Sequence, residues 1–428
     1  MGYWHHLCTG ISVIKIHMLQ EKTDKPLMLV FPFGYLSHYL RCLTLAQHFR
    51  ASFTILFAAD KKYNPYVQDA GFQTFECAAM DADHALDCVQ KFDFSWLNEQ
   101  TLEAAFKDQV RVINTLKPAV VLGDASPTLR MAATATDVFY ISVINGYMSK
   151  YFAGLRTLSV THPAYPLVKK LPVPIAAMLT RHGEALAFRA VHRPFKKIRS
   201  KWHLPSCKYY LDEMEGDMNL IPDLLSLFPQ QKLPDHYRVI GPLFHQPTQP
   251  VKGWIMPALN AAKQTLFVSM GSTGAWKSVA FLNDPAFAAY NIIAAGDHQK
   301  KLFAQHIIHV PFADAGELYP QVDLVLCHGG NGSIYQSLAY GIPVLCWPAH
   351  FEQEWNVAAL EREGLGKNMT AVKPVPEIRK LIDQWICKKG TTLFEHYQHK
   401  IQHYQTLLPD GAAALAATWH DPILNNNN

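Results

Sequence analysis

Residues 322–366 read VDLVLCHGGNGSIYQSLAYGIPVLCWPAHFEQEWNVAALEREGLG, and this stretch carries the clearest local pattern in the chain. An apolar run ends at His328, a glycine-rich turn follows, and a helix-compatible run stops at Gly341 before a second apolar run. The pattern predicts a strand, a turn, a helix and a second strand. Such units build parallel sheets that are covered by helices.

The glycine-rich turn is predicted to bind phosphate. It lies where a parallel strand leads into the N-terminus of a helix, and there free backbone N–H groups and the helix dipole attract anions. The candidate ligands are His328, Gly330, Asn331, Gly332 and Ser333. The loop after the second strand carries Glu352 and Gln353, a carboxylate and an amide that suit sugar hydroxyls. The two loops together predict a nucleotide-sugar pocket.

The whole stretch resembles the donor-binding signature of the UDP-glycosyltransferase-like family (glycosyltransferase family 1 type), whose pattern is close to HGGxGTxxEAxxxGxPxxxxPxxxDQxxNA. The positions in step with it are His328, Gly329, Gly330, Gly332, Ser333, Gly341, Pro343, Pro348, Gln353 and Asn356. Two shorter stretches also resemble this family. SMGSTG from Ser269 is similar to the glycine-serine loop that opens its C-terminal domain, and FGYLSHYLRCLTLA from Phe33 is similar to its N-terminal glycine-histidine motif.

The resemblance implies an α/β protein of GT-B fold, with two Rossmann-like domains facing each other across a cleft. It also implies inverting transfer of a hexose from a nucleoside-diphosphate sugar, UDP-sugar first, to a hydroxyl of an apolar or amphipathic acceptor. That chemistry requires no metal and no other cofactor. Gly271, Ser272 and Thr273 join the predicted donor-binding residues on the same ground, and His328 with the turn amides would stabilise the departing diphosphate.

Chain length and the order of the apolar runs predict two domains. A chain of 428 residues suits two cores of about 200 residues each. Strand and helix patterns alternate from residue 27 to 143 and again from 265, and a proline-rich segment, FHQPTQPVKGWIMP, lies between them. We therefore predict an N-terminal acceptor-binding domain over 1–246, a linker over 247–262, a nucleotide-sugar-binding domain over 263–400, and C-terminal helices with a disordered tail over 401–428. Beyond about residue 375 the pattern predicts three short helices.

Composition excludes several other classes of protein. The content of 49% hydrophobic and 17% charged residues is typical of a globular protein, and a net charge of +4 does not indicate a nucleic-acid partner. No run approaches the roughly 18 apolar residues of a membrane span, and the first twenty residues lack the apolar core of a signal peptide. We expect a cytoplasmic protein.

His38 and Asp124 are the predicted catalytic pair. Transfer to a hydroxyl requires removal of its proton, which a histidine does well near neutral pH. His38 follows the first predicted strand, and its family counterpart is the general base. Asp124 ends another predicted strand and could fix the imidazole tautomer. In the alternative reading His38 has no chemical role and Asp124 only caps the following helix.

The sequence Asp81-Ala-Asp83 matches the DxD motif, which binds manganese in the glycosyltransferases that do not have the GT-B fold. It follows no clear strand, so we expect no metal there. Two positions depart from the family pattern. Gln336 stands where a ribose-binding glutamate is usual, which leaves the choice between UDP and dTDP open. Arg41 stands where proline is common, and we expect it to be solvated rather than directed at an acidic acceptor.

The region from 165 to 201 is the most basic in the chain. It contains nine Lys or Arg residues and one acid, Glu184. Apolar residues are interleaved with these charges, so the region could be an amphipathic surface that makes peripheral contact with an anionic membrane. The alternative is a solvated helical face beside the acceptor cleft.

Two other functions remain open from the sequence. One is an enzyme of the same fold with different chemistry, such as a lipid-carrier N-acetylglucosaminyltransferase or a sugar-nucleotide epimerase. The other is a catalytically inactive module that binds a sugar nucleotide, which Gln336 and the irregular N-terminal motif would fit.

Overall fold

The computed structural model describes residues 25–160, 162–245, 254–271, 273–296 and 301–420. These residues form two parallel sheets with helices packed against them. All strands of the first sheet precede residue 240, and all strands of the second follow residue 264. Within the predicted linker 247–262, residues 247–253 lie outside the described ranges and 254–262 form neither helix nor strand.

The first sheet has seven strands in the order β3-β2-β1-β4-β5-β6-β7. The strands are β1 (Leu27–Pro32), β2 (Thr54–Ala58), β3 (Gln73–Phe75), β4 (Val120–Asp124), β5 (Phe139–Val143), β6 (Met218–Ile221) and β7 (Tyr237–Val239). Its helices are α1 (Leu36–Phe49), α2 (Asn64–Asp69), α3 (Ala82–Gln90), α4 (Glu99–Leu116), α5 (Leu129–Thr136), α6 (Tyr165–Val168), α7 (Val173–Val191), α8 (Arg193–Lys201) and α9 (Tyr210–Glu213). The sequence patterns missed β3, β6 and β7, because strands of three or four residues leave too short an apolar run to recognise.

Strand β1 shows why this sheet is buried on both faces. Leu27, Leu29 and Phe31 belong to one hydrophobic core, whereas Met28 and Val30 belong to another. Successive side chains of a strand point to opposite faces, so a strand covered on both sides is apolar throughout.

The strand order reverses between β1 and β4, and Pro32 lies beside Asp124 at their carboxyl ends. Ligands of open α/β sheets bind in the crevice at such a reversal. The topology therefore directs α1, with His38 in its first turn, and the end of β4 to one place.

The second sheet has six strands in the order β10-β9-β8-β11-β12-β13. The strands are β8 (Thr265–Ser269), β9 (Asn291–Ala295), β10 (Ile307–Val310), β11 (Leu324–Cys327), β12 (Val344–Cys346) and β13 (Gly366–Asn368), and its helices are α10 (Ala315–Leu318), α11 (Asn331–Ala339), α12 (Phe351–Arg362) and α13 (Val375–Ile386). Here the order reverses between β8 and β11, where Ser269 pairs with Cys327. The glycine-serine loop and the turn at His328 are therefore neighbours at the same edge.

The C-terminal part differs from the prediction. After α13 the chain forms one helix, α14 (Thr392–His420), with Pro409 inside it, instead of two further short helices. The predicted boundary at residue 400 lies within α14, and the tail from residue 421 lies outside the described residues. Helix α14 packs against both domains, which stabilises it as a single helix despite the proline.

The contacts of α14 can be followed along its length. Phe394, Tyr397 and Ile401 lie in the core of the second domain, whereas Leu408 and Ala412 lie in a core of the first. Among the helices of the described residues, none combines the length and the apolar content that are needed to span a bilayer.

Candidate functional site

A cavity of about 920 Å³ lies between the facing edges of the two sheets. The first domain contributes His38 and Asp124 to its lining. From the second domain come Gly271, Thr273, His328, Gly330, Asn331, Gly332, Ser333, Gln336, Glu352 and Gln353. Of the predicted site residues only Ser272 lies outside the described residues. The structure thus gathers the remaining predicted residues around one cavity.

His38 and Asp124 form a hydrogen-bonded pair. His38 Nδ1 lies 2.8 Å from Asp124 Oδ1, and the carboxylate is fully buried. The following helix, α5, has Thr128 at its capping position, so Asp124 is not the cap of that helix. With Nδ1 protonated and bonded to the carboxylate, Nε2 is left as the acceptor nitrogen. This arrangement suits a general base.

Arg41 is not solvated, contrary to our expectation, but is buried against the same carboxylate. Its Nε lies 2.8 Å from Asp124 Oδ2 and its Nη2 lies 2.6 Å from Oδ1, a two-pronged ion pair. Nη1 also donates a hydrogen bond to Asn145. Arg41 lies one helical turn after His38, so the two side chains reach the same carboxylate.

Asp124 stays ionised because of these partners. Burial alone would raise the pKa of its carboxyl, but the Arg41 guanidinium and then His38 lower the pKa below its ordinary value. The ionised carboxylate can therefore hold the imidazole tautomer and stabilise the imidazolium that forms when His38 takes a proton.

The glycine-rich turn leaves backbone amides available. Gly330 occupies the capping position of α11 and supplies no capping side chain, and a Cβ at Gly332 would meet nothing within 4 Å. Gly329 has a φ of +91°, and a Cβ there would lie 2.7 Å from Val357 Cγ2. This position therefore requires glycine. The N-terminus of α11 is open to an anion.

His328 is buried beside this turn. Burial, and then the neighbouring His350, lower the pKa of His328 to about 4, so its imidazole is neutral at pH 7. Within the described part of the chain its Nδ1 has no partner of hydrogen-bonding geometry, although the Ser269 carbonyl lies close enough to favour the protonated form slightly. Because His328 also lines the cavity, its neutral imidazole can contact a bound diphosphate there.

The low pKa of His328 makes stability depend on pH. In the unfolded chain a histidine has a pKa of about 6.5, so the unfolded state binds the proton first as the pH falls. We expect this contribution to be complete above pH 6.5 and to be lost towards pH 4, with a total loss of about 3 kcal/mol in the free energy of unfolding. Urea titrations at several pH values measure it.

One variant tests this pH dependence and a second variant is its control. His328→Asn should flatten the curve between pH 4 and 6.5, whereas His399→Asn, at an exposed position, should leave it unchanged. Identical pH curves for wild type and His328→Asn would contradict the assignment.

The predicted sugar-binding residues differ in availability. Glu352 is partly exposed in the first turn of α12, and its Oε1 accepts a hydrogen bond of 3.4 Å from Asn145 Nδ2 across the cleft. Gln353 is buried and already engaged: its Oε1 accepts from Ala349 N at 2.8 Å, and its Nε2 donates to Thr273 Oγ1 at 3.0 Å. Gln353 therefore fixes two loops to each other, and Glu352 is the side chain left to meet a sugar.

The predicted ribose-binding residue, Gln336, is also partly engaged. Its Nε2 donates a hydrogen bond of 3.1 Å to the His245 carbonyl, which orients Oε1 as the free acceptor. A glutamate could not donate that bond. The departure from the family pattern thus has a local structural reason.

Asn145 and Asp223 were missed from the sequence. Asn145 follows β5, and Asp223 follows β6. Asp223 is buried between the domains, where it accepts hydrogen bonds from Gly146 N at 2.5 Å and from Tyr335 OH at 2.7 Å. The only available signal was their position, a single polar residue just past the carboxyl end of a strand.

Neither aspartate of the DxD-like pair lines the cavity. Asp81 caps α3 by accepting from His84 N at 3.0 Å, and Asp83 pairs with the exposed Lys62 at 2.7 Å. In the described ranges no group of three or more His, Cys, Asp or Glu side chains is arranged to hold a metal ion.

Known glycosyltransferases are similar to this chain in sequence. Residues 265–385 match the glycosyltransferase family 28 C-terminal domain. The chain is 26% identical over 342 residues to a PGL/p-HBAD biosynthesis glycosyltransferase of Mycobacterium tuberculosis, with 77% of each chain covered. It is 24% identical over 340 residues to a PGL/p-HBAD biosynthesis rhamnosyltransferase of Mycobacterium bovis, covering 77% of this chain and 74% of the relative.

Two solved structures illustrate the similarity of fold. CalG4, the calicheamicin glycosyltransferase, aligns with a TM-score of 0.65 at 15% identity, over 93% of this chain and 98% of its own. The spinosyn rhamnosyltransferase SpnG complexed with thymidine diphosphate aligns with a TM-score of 0.59 at 17% identity, over 92% and 99%. These alignments and the two facing sheets confirm the predicted GT-B fold. The finer assignment to glycosyltransferase family 1 stays a prediction, since the matching domain belongs to family 28.

Proposed function

The chain is a glycosyltransferase of GT-B fold, and we propose that it transfers a hexose, with inversion and without a metal, from a nucleoside-diphosphate sugar to a hydroxyl of an apolar acceptor. The observation that carries this proposal is the cavity itself. A base with its carboxylate lies on one wall, and an open helix N-terminus with a neutral histidine lies on the other.

In this proposal each wall has one task. His38 Nε2 removes the proton of the acceptor hydroxyl while Asp124 holds Nδ1–H. The oxygen attacks the anomeric carbon, and the bond to the diphosphate breaks on the opposite side, which inverts the configuration. The diphosphate leaves towards the amides of α11 and His328. Glu352, between the two walls, accepts hydrogen bonds from the sugar hydroxyls.

The lining of the cavity supports an apolar acceptor. Around His38 the first domain contributes large hydrophobic side chains, among them Phe33, Phe92, Phe94, Trp96, Met148 and Phe188. A pocket of this composition binds its ligand mainly by removing apolar surface from water, and a few polar groups fix the orientation.

Two nucleotides are candidates for the donor. The signature residues favour UDP. A dTDP-sugar is the second candidate, because one relative is named a rhamnosyltransferase and one similar structure is complexed with thymidine diphosphate. An epimerase or an inactive binding module is not favoured, since the relatives described above are named for glycosyl transfer. A lipid-carrier N-acetylglucosaminyltransferase is not favoured either, since neither relative is named for transfer of that sugar.

Thermal unfolding in the presence of nucleotides tests the donor site. A diphosphate present at about one hundred times its Kd should stabilise the folded protein by about 2.7 kcal/mol, so its Tm should rise. UDP, dTDP and their sugars form the test series, and UMP is the matched control without the second phosphate. A series in which no diphosphate exceeds UMP would contradict the site. NMR of the product should then show an anomeric configuration opposite to that of the donor.

A further inference from the structure

Helix α7 exposes an unusual amount of apolar surface. Among its nineteen residues only Ala177 and Thr180 are buried. Nine of the fifteen large hydrophobic side chains that are exposed in the described residues lie between positions 155 and 186: Leu155, Val160, Leu167, Leu171, Val173, Ile175, Met178, Leu179 and Leu186. Single exposed hydrophobic residues are ordinary, but such a concentration indicates a contact surface.

The same segment borders the cavity. Val168, Leu179, Thr180, Gly183 and Ala187 line it. On the same helix Met178 and Leu186 are exposed but do not line the cavity, whereas Leu179 does. Helix α7 is therefore a thin wall between the proposed acceptor site and the surroundings of the protein.

Only part of the positive charge counted in the sequence over 165–201 is free of acidic partners among the residues that the structure describes. On α8, Arg199 pairs with the buried Glu213, and Lys197 and Lys201 pair with acids of α4. Lys169 and Lys170 have no ion pair within the described ranges. They lie between Leu167, 76% exposed, and Leu171, 38% exposed, in the short connection that precedes α7.

We propose that the surface formed by residues 155–186 docks on an anionic lipid bilayer, so that the acceptor is a lipid that enters the cavity from the membrane. Leu167, Leu171 and Val173 enter the acyl boundary, while Lys169 and Lys170 meet the phosphate groups of the lipids. A lipid surface offers an apolar layer beside negative charge, which matches this pattern. A second copy of the chain fits less well, because the same surface would have to supply acids to meet the two lysines, and its one acid, Glu184, is already paired with Arg156. The part that concerns the acceptor rests on the proposed function.

Sedimentation with vesicles tests the docking. We expect the full chain to pellet with vesicles of phosphatidylcholine mixed with phosphatidylglycerol, and much less with phosphatidylcholine alone. The variant Leu167→Asn/Leu171→Asn should reduce the ratio of bound to free protein at least tenfold on both kinds of vesicle. Lys169→Glu/Lys170→Glu should reduce it at least tenfold only on the vesicles that contain phosphatidylglycerol.

Matched controls use exposed positions elsewhere on the surface. Ile255→Asn/Leu393→Asn removes comparable apolar surface, and Lys277→Glu/Lys301→Glu reverses comparable charge. Both controls should pellet like the wild type. Wild-type protein that stays in the supernatant with both kinds of vesicle would overturn the proposal. So would a dimer in size-exclusion chromatography that the variants at 167 and 171 convert to monomer.

A measurement of donor binding shows whether a negative result concerns the membrane docking or the proposed function. The two double variants, at positions 167 and 171 and at positions 169 and 170, should keep the wild-type rise in Tm with the nucleoside diphosphate, since none of these four residues lines the cavity. Variants that no longer bind vesicles but keep the rise in Tm with the nucleoside diphosphate would support the docking. A wild-type protein without any donor shift would contradict the proposed function, whatever the vesicles show.

Discussion

His38→Ala should lower kcat by about 10² to 10⁴ while the Kd of the donor changes by less than about twofold. The substitution removes the group proposed to take the acceptor proton, and the donor amides of α11 lie on the other wall of the cavity. Turnover is measured as release of nucleoside diphosphate that depends on acceptor, and donor affinity is measured by calorimetry.

The matched control for this experiment is His48→Ala. His48 lies in the last turn of α1, so the control replaces the same residue type on the same helix, remote from the cavity. It should keep the wild-type rate. A His38→Ala enzyme that retained more than a tenth of wild-type turnover would contradict the assignment of the base.

Arg41→Met should have the second large effect, a loss of about 3 to 5 kcal/mol in the free energy of unfolding. The side chains have similar length, but the substitution leaves the buried carboxylate of Asp124 without its guanidinium partner. Urea unfolding measures the loss. In the wild type the lowered pKa of Asp124 contributes stability that is present above the ordinary pKa and is lost as the pH falls through the folded value, and this pH-dependent part should shrink in the variant.

Arg111→Met is the matched comparison for the buried pair. Arg111 Nε lies 2.6 Å from Asp108 Oδ1 on the exposed surface of α4, where such a pair contributes about 0 to 1 kcal/mol. In the double variant Arg41→Met/Asp124→Asn the loss should be smaller than the sum of the two single losses, because both remove the same interaction. Equal effects of the buried and the exposed arginine would contradict the role given to Arg41.

The donor half of the site could be predicted because its information is local. The turn from His328 to Ser333 is one continuous motif, and two of its glycines have a geometric reason: Gly329 has a positive φ, and a Cβ at Gly330 would clash with His328 Nε2. The position of His38 followed from the strand before it. The α/β fold class followed from the alternation of apolar runs, because alternating strands and helices are typical of a parallel sheet covered by helices.

The polar network around Asp124 could not be predicted with the same ease. Whether an arginine near the start of a helix faces water or the core depends on what packs above it, and here that is the end of β4 and Asn145. The spacing of three residues between His38 and Arg41 was a signal, but it does not give the direction of the side chains. Asn145 and Asp223 belong to no motif, because their partners are distant in sequence and come from both domains.

Helix α14 connects the C-terminal part of the chain to helix α1, which carries His38, the proposed general base. Its earlier residues are anchored in one domain and its later residues in the other, and Leu408 shares a core with Tyr39 and Leu43 on the helix that bears His38. Any rotation that widens the crevice has to flex this brace or detach one of its ends. The helix is weakest at Pro409, because proline has no N–H to donate to the carbonyl four residues earlier. This weak point lies close to where α14 passes from the second domain to the first.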